Sequence, residues 1–144
     1  MPDRIIVSAV CVYAPDGRLL TVRKRGTDRF MHPGGKPEPG ESAAEAASRE
    51  LSEEVGIAIA AEDLVPFGVW IAKAANEAGT EIEGTVFLAP GEYDPREVRP
   101  AAEIAELRWI DPSAEPDADL APLLTDHVLP ELTRQPPSSA RRNE

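Results

Sequence analysis

Three glutamates lie close together on one predicted helix, and their spacing suits the binding of a divalent cation. Glu50, Glu53 and Glu54 fall within an arc of about 100° on a helix that turns about 100° per residue. Carboxylates this close repel one another unless a positive charge lies between them. Hard cations such as Mg²⁺ or Mn²⁺ prefer oxygen ligands of this kind. The alternative is a solvated acidic helix face, which is the usual meaning of a run of charges.

The residues that flank these acids favour the metal-binding interpretation. The loop before the helix contains Pro33-Gly34-Gly35, and backbone without a Cβ allows the close approach of a metal or a phosphate. Ser42 and Glu45 have the spacing of a capping box, and Gly56 fits the left-handed position after the helix end. Arg49 lies beside Glu53, where it is placed to orient and partly neutralise the acids. A separate apolar stripe can pack on a core: Ala44, Ala47, Leu51 and Val55.

Residues 35–57 match the Nudix box, G-x5-E-x7-R-E-U-x-E-E-x-G-U with U aliphatic, at every specified position. The chain therefore resembles the Nudix hydrolases. The resemblance implies an α/β/α sandwich in which the box helix lies against one face of a mixed central β-sheet. It also implies hydrolysis, with Mg²⁺ or Mn²⁺, of a nucleoside diphosphate linked to another group X.

The resemblance assigns roles to the residues of the box. The metal ligands that it implies are the carbonyl of Gly35 and three carboxylates: Glu50, Glu53 and Glu54. The general base stays open between Glu53 and Glu41, and Arg49 would hold Glu50 or Glu53 in position. A further acidic ligand often lies outside the box in this family, and Glu103, shortly before Trp109, is the preferred candidate.

Cations and one aromatic residue near the box are the candidates for binding the substrate. Alternation along a strand puts Arg23 and Arg25 on one face and Lys24 on the other, and Lys36 directly follows Gly35. We expect Arg23, Arg25 and Lys36 to contact phosphates, although each is open to being an ordinary solvated charge. Phe30 is placed to stack on a nucleobase or, alternatively, to anchor the loop in the core.

Composition limits the possible partners. The chain has 144 residues, a net charge of −11 and one cysteine. One domain over residues 1–134, followed by a disordered polar tail over residues 135–144, is expected from this length and composition. The negative charge argues against a nucleic-acid polymer or an anionic membrane as a partner. We expect a cytoplasmic protein, with a homodimer as an open possibility, in which Cys11 is a small buried hydrophobe.

Hydrophobic patterning predicts an α+β fold. The predicted strands are residues 4–13, 18–25, 57–59, 64–72, 81–89 and 107–110. The predicted helices are residues 42–55 and 118–132. Several strands and two helices indicate a mixed sheet that is covered on both faces.

The sequence gives less information on the substrate. Related enzymes that cleave ADP-ribose carry a proline about sixteen residues after the box, and hydrolases of dinucleoside polyphosphates carry a tyrosine in that region. Residues 71–75 contain neither. The resemblance therefore favours a MutT-type (d)NTP pyrophosphohydrolase or nucleotide-pool sanitising enzyme. The alternatives are a Nudix-fold binding or regulatory domain without catalysis, a hydrolase of ADP-ribose or another nucleotide sugar, and an isopentenyl-diphosphate isomerase, which needs a catalytic cysteine.

Overall fold

The computed structural model describes residues 3–74 and 78–134. Its strands are β1 (Asp3–Cys11), β2 (Leu19–Lys24), β3 (Phe30–Met31), β4 (Gly34–Gly35), β5 (Val65–Lys73), β6 (Thr80–Leu88) and β7 (Ile104–Ile110). Its α-helices are α1 (Ala43–Val55) and α2 (Leu129–Arg134), and a π-helical segment, Leu123–Val128, leads into α2. Short 3-10 turns span Ala61–Asp63 and Pro95–Glu97. The predicted disordered tail, residues 135–144, lies outside the described residues.

The strands form two sheets. The first has the order β4-β1-β6-β5, and it is mixed because β1 runs parallel to β6 while the other pairs are antiparallel. The second, β3-β2-β7, is antiparallel throughout. The α+β sandwich with a mixed sheet is thus confirmed. The three-stranded second sheet is an addition that the sequence patterning did not predict.

Helix α1 is held against the mixed sheet by its apolar stripe. Ala47, Leu51 and Val55 are buried in one core cluster with Val10 of β1 and Phe87 of β6. The π-helical segment and α2 cover a second cluster, which includes buried Leu124, Val128 and Leu132. Because side chains alternate along a strand, β1 supplies residues to both clusters.

Three of the predicted elements differ from the structure by three residues or more. Residues 57–59 do not form a strand in the structure. Ile57 follows the left-handed Gly56, and its side chain is buried at the end of the helix instead of in a sheet. The late helix begins at Leu123, five residues after its predicted start at residue 118. Pro130 has no amide hydrogen to donate in an α-helix, which is a physical reason for the π-helical geometry of Leu123–Val128 before it. Strand β7 begins at Ile104, three residues before the predicted start.

The expectation that Cys11 is buried is confirmed. Cys11 is fully buried, and Trp109 packs against the core cluster beneath α1. None of the helices within residues 3–74 and 78–134 combines the length and apolarity that a membrane span requires.

Candidate functional site

Local signals fix both ends of α1 and hence the direction of its acidic side chains. The Ser42 hydroxyl accepts a hydrogen bond from the Glu45 amide, and the Glu45 carboxylate accepts one from the Ser42 amide. This is the predicted capping box. Gly56 has φ of 74°, and its amide donates to the carbonyls of Leu51 and Ser52. A glycine adopts this left-handed conformation without strain, so the helix ends where the sequence predicts.

Three carboxylates converge beside this helix, of which one is buried, one half-buried and one exposed. Glu50, Glu54 and Glu103 each offer one oxygen, and these oxygens lie within 4.8 Å of one another. Glu103 comes from the turn before β7, which is tied to the helix because the Ala101 amide donates to the Glu54 carbonyl at 2.8 Å. The acid that the sequence favoured outside the box therefore lies beside two acids of the box. Three carboxylate oxygens at this spacing form a donor set suited to a hard divalent cation.

Glu54 has an incomplete set of partners. Its side chain is fully buried, its Oε1 accepts from the Gly34 amide at 3.0 Å, and its Oε2 has no hydrogen-bond partner among the described residues. Burial raises the pKa of this carboxyl group to about 8, against a smaller lowering by the Gly34 hydrogen bond. A buried carboxylate oxygen without a partner is costly. A cation between Glu54 and its neighbours would remove this cost, so these residues fit a divalent metal.

Glycine at position 35 makes room for the second carboxylate. A Cβ built on Gly35 would overlap the carboxylate of Glu50. Burial raises the pKa of Glu50, while the charge of Arg49 lowers it. Gly34 is needed for a different contact, because a Cβ there would overlap the Ser8 backbone of the neighbouring strand.

Arg49 organises the acids that do not join this cluster. Its guanidinium binds both carboxylate oxygens of Glu41, at 2.7 and 3.0 Å, and donates to Glu53 Oε1 at 3.2 Å and to the Lys36 carbonyl at 3.2 Å. It also lies 3.4 Å from Glu50 Oε2. The hydrogen bonds from Arg49 hold the pKa of Glu41 below its usual value. Glu41 and Glu53 thus lie at the edge of the site, where both are hydrogen-bonded to Arg49.

The cations near the acids differ in part from those that the sequence favoured. Arg23 pairs with Glu106 at 3.1 Å and donates to the Thr27 carbonyl, and Arg25 is exposed. Lys24, on the opposite face of β2, lines the cleft, and its positive charge lowers the pKa of both Glu50 and Glu54. Lys36 also lines the cleft. Strand alternation separates Lys24 from Arg23, but only the packing of the two sheets shows which face meets the acids.

A cleft of about 270 Å³ opens beside the two glycines. One wall is apolar and includes Ile5, Val7 and Ile82 of the mixed sheet together with Leu123 of the π-helical segment. His32 also lines the cleft and is 4% exposed. The cleft can therefore hold an apolar or flat group next to the carboxylate cluster.

Phe30 lies in the core and not in the cleft. Its side chain is 2% exposed, and the guanidinium of Arg108 lies 3.9 Å from the ring centroid. This placement is the core anchor that the sequence left as the alternative, and it leaves no open ring face for a nucleobase. Arg108 also pairs with Asp119 at 2.8 Å and with Asp117 at 3.3 Å, so both acids are engaged away from the cleft.

Comparison with known proteins identifies the family of this chain. A family model described as the NUDIX domain matches residues 2–132. The chain is 30% identical over 112 residues to an uncharacterized Nudix hydrolase of Bacillus subtilis, covering 78% of this chain and 70% of that protein. It is 33% identical over 96 residues to a putative 8-oxo-dGTP diphosphatase of Bacillus subtilis, covering 57% of this chain and 64% of the relative.

Two further similarities extend this comparison. The chain is 39% identical over 95 residues to an isopentenyl-diphosphate Delta-isomerase of Nocardia farcinica, covering 60% of this chain. It spans about half of that relative's length, 48%. Its structure is similar to the crystal structure of a MutT NUDIX hydrolase from Burkholderia pseudomallei, with a TM-score of 0.70 and 23% identity over 90% of this chain and 98% of the other.

Proposed function

We propose that this chain, which belongs to the Nudix hydrolase family, hydrolyses a nucleoside diphosphate linked to a group X. The reaction depends on a divalent metal ion. The preferred substrates are (d)NTPs, which a pyrophosphohydrolase cleaves to a mononucleotide and pyrophosphate. The similarity to a putative 8-oxo-dGTP diphosphatase supports a role with damaged or canonical nucleotides.

The observation that carries this proposal is the incomplete coordination of Glu54. A helix face used only for solubility would expose its acids, but Glu54 is fully buried and its Oε2 has no partner among the described residues. Glu50 and Glu103 bring two further oxygens to the same place. Burying a carboxylate beside two other acids is unfavourable unless a cation binds there.

The residues that would hold Mg²⁺, or Mn²⁺ in its place, are Glu50, Glu54 and Glu103, with the Gly35 carbonyl as a further candidate. When bound, the metal would offset the charge of the phosphates and make water easier to deprotonate. Arg49 holds Glu53 and Glu41 beside this centre. These two carboxylates are the candidates for the base that accepts the proton of the attacking water, and the family resemblance also implies Glu53 as a metal ligand.

Lys24 and Lys36 offset the repulsion between an acidic protein and a polyphosphate. The chain carries a net charge of −11, so a substrate with several negative charges needs local cations. Both lysines line the cleft beside Gly34 and Gly35. We therefore assign phosphate binding to this pair, whereas Arg23 is committed to Glu106.

The similarity to an isopentenyl-diphosphate isomerase gives a second candidate function. That reaction needs a reactive cysteine, whereas Cys11 is completely buried and its pKa is strongly raised by burial. A buried thiol with a raised pKa is a poor nucleophile and a poor proton donor to a substrate outside the core. A binding domain without catalysis is also less consistent with the chain, because Glu50, Glu53 and Glu54 are all present.

A panel of substrates tests the proposal directly. Purified protein with Mg²⁺ should release pyrophosphate from at least one canonical or oxidised (d)NTP, and EDTA should abolish that release. ADP-ribose, a nucleotide sugar and isopentenyl diphosphate form the rest of the panel. Exclusive turnover of one of these three would replace the preferred substrate class. Tight binding of a nucleotide without turnover of any panel member would reject hydrolysis.

A further inference from the structure

The turn that carries Glu103 contains a strained backbone position. Among the residues that the structure describes, Ala102 is the one position other than glycine with a positive φ, 53°. It is the second residue of a four-residue turn, which is closed by a hydrogen bond from the Ile104 amide to the Ala101 carbonyl at 3.0 Å. Turns with a positive φ at this position usually have glycine there, because a Cβ crowds the backbone. Alanine at this position therefore costs free energy that glycine would not.

Anchored neighbours on both sides account for this conformation of Ala102. The residue is exposed, so packing of its methyl group does not impose a positive φ. On one side, the Ala101 amide donates to the carbonyl of Glu54, in the last turn of α1, at 2.8 Å. On the other side, the Glu103 carbonyl accepts from the amide of Arg25, just after β2, at 2.7 Å. The chain passes between these two anchors within three residues, and they hold Ala102 in its strained conformation.

The strand pairing that follows Glu103 is irregular as well. Arg23 of β2 lies opposite Glu106 of β7, but the next residue, Lys24, lies opposite Ile104, so β7 has one extra residue there. A bulge of this kind bends the strand and changes the direction of the side chains beside it. The bulge follows Glu103, and the strained residue of the turn precedes it. The direction of Glu103 is therefore set by irregular backbone on both sides.

The Glu103 carboxylate is the group that this backbone directs. One of its oxygens lies within 4.8 Å of oxygens of Glu50 and Glu54, although Glu103 itself is exposed and no packing encloses its side chain. We propose that Ala102 is a positioning residue, whose positive φ directs Glu103 towards the other two carboxylates and so sets their joint affinity for a divalent cation. Strain of this kind persists where the surrounding contacts enforce it, as the two anchors do here. This inference rests on the proposed function, because it takes the three carboxylates as ligands of that cation.

Binding of Mn²⁺ alone, measured by isothermal titration calorimetry without nucleotide, tests this role. Ala102→Val should weaken Mn²⁺ binding about tenfold, because a β-branched residue rarely adopts a positive φ and the turn must change. Ala102→Gly adopts the conformation freely and should bind Mn²⁺ within about twofold of the wild type. Ala114 is an exposed loop alanine without a positive φ, and the same two substitutions there are the matched controls, which should leave Mn²⁺ binding unchanged. Equal Mn²⁺ affinity of Ala102→Val and the wild type contradicts the proposal.

Thermal unfolding of the metal-free proteins shows whether position 102 is strained. Ala102→Gly should raise the unfolding temperature by about 2 °C, because glycine removes the strain. Ala114→Gly should lower it, because glycine there only adds freedom to the unfolded chain. An unfolding temperature of Ala102→Gly equal to or below that of the wild type would overturn the proposal, whatever the fate of the valine variant.

A double-mutant cycle separates positioning of Glu103 from a general loosening of the site. In a Glu103→Gln background, Ala102→Val should weaken Mn²⁺ binding by less than about twofold, because the carboxylate that Ala102 directs is already absent. A further tenfold loss there would show that Ala102 acts on the whole site, and would reject its role through Glu103. Should no nucleotide be hydrolysed while this pattern holds, the proposed function fails and the positioning role stands. Hydrolysis together with equal Mn²⁺ affinities would give the reverse outcome.

Discussion

The Gly34 amide donates to Glu54 Oε1 at 3.0 Å, while the other oxygen of the same carboxylate has no partner within residues 3–74 and 78–134. The hydrogen bond from the glycine loop holds Oε1 in place. Because the carboxylate is planar and rigid, the same bond also sets the orientation of Oε2. The donor is a backbone amide, which has no rotamers, so the position of Glu54 Oε2 depends on the conformation of the loop and not on a second flexible side chain. The loop and the helix therefore form one unit.

Glu103 is predicted to bind the metal although it lies outside the box. Its carboxylate oxygen lies within 4.8 Å of those of Glu50 and Glu54. Glu103→Gln should raise the Mg²⁺ concentration for half-maximal activity by about 10- to 100-fold, because a charged ligand is replaced by a neutral one. Glu92→Gln, at an exposed acid, is the control. Equal Mg²⁺ requirements in the two variants would show that Glu103 is not a metal ligand.

Gly35→Ala should reduce activity more than it reduces stability. The new Cβ would overlap the Glu50 carboxylate and displace it from the cluster. Gly91→Ala is an informative contrast, because Gly91 has φ of 79° and open space around it. The alanine there should cost about 1 kcal/mol in the free energy of unfolding and leave kcat unchanged. Steady-state kinetics and urea unfolding distinguish the two, and an active Gly35→Ala enzyme with an unaltered Mg²⁺ requirement would be inconsistent with this geometry.

Lys24 should bind phosphate, and Arg23 should not. Lys24→Ala removes a cation that lines the cleft and is predicted to raise KM about tenfold, corresponding to the loss of one charge-assisted hydrogen bond. Arg23→Ala removes a pairing with Glu106 of β7 and should change KM less than twofold. If Arg23→Ala raised KM more than Lys24→Ala does, Arg23 would be the phosphate-binding residue, as the sequence alone suggested.

His32 should make the stability of the protein depend on pH in a defined window. Its pKa is lowered by burial from 6.5 to about 4, so the unfolded chain binds more protons than the folded chain between these values. Stability should therefore rise as pH increases from 4 to 6.5, by at most about 1.4 kcal/mol per pH unit from this residue, and its contribution should be constant above that range. Urea unfolding at several pH values would show this slope as the difference between the wild type and His32→Phe. Identical slopes would mean that His32 is not held neutral by burial.

Local patterns predicted the helix well and the partners of its acids less well. The capping box, the left-handed Gly56 and the buried Ala47 and Leu51 follow from contacts within a few residues, and the structure confirms them. Glu103 lies 49 positions after Glu54, so its approach depends on the turn before β7 and cannot be read from helical spacing. Only a pattern of the family favoured Glu103 over the other acids outside the box.

The assignment of Lys24 and Phe30 depended on the packing of two sheets. Alternation divides Arg23 from Lys24, but it does not tell which face of β2 meets the glycine loop. Phe30 sits beside the loop in sequence, yet the Arg108 guanidinium covers its ring in space. That contact joins β3 to β7 across the second sheet, and the sequence patterning did not predict a second sheet.

Pyrophosphate release by Glu54→Gln, compared with the wild type on the best (d)NTP, tests the central claim most directly. Glutamine has the same shape, can still accept from the Gly34 amide and is neutral, like the metal-free carboxyl group at pH 7, whose pKa burial raises to about 8. Thermal unfolding of the metal-free variant at pH 7 should therefore occur at about the same temperature as that of the wild type. Its kcat should fall about 1,000-fold, as expected if several kcal/mol of charge stabilisation is lost. A folded Glu54→Gln protein with near wild-type turnover would contradict a metal site centred on Glu54.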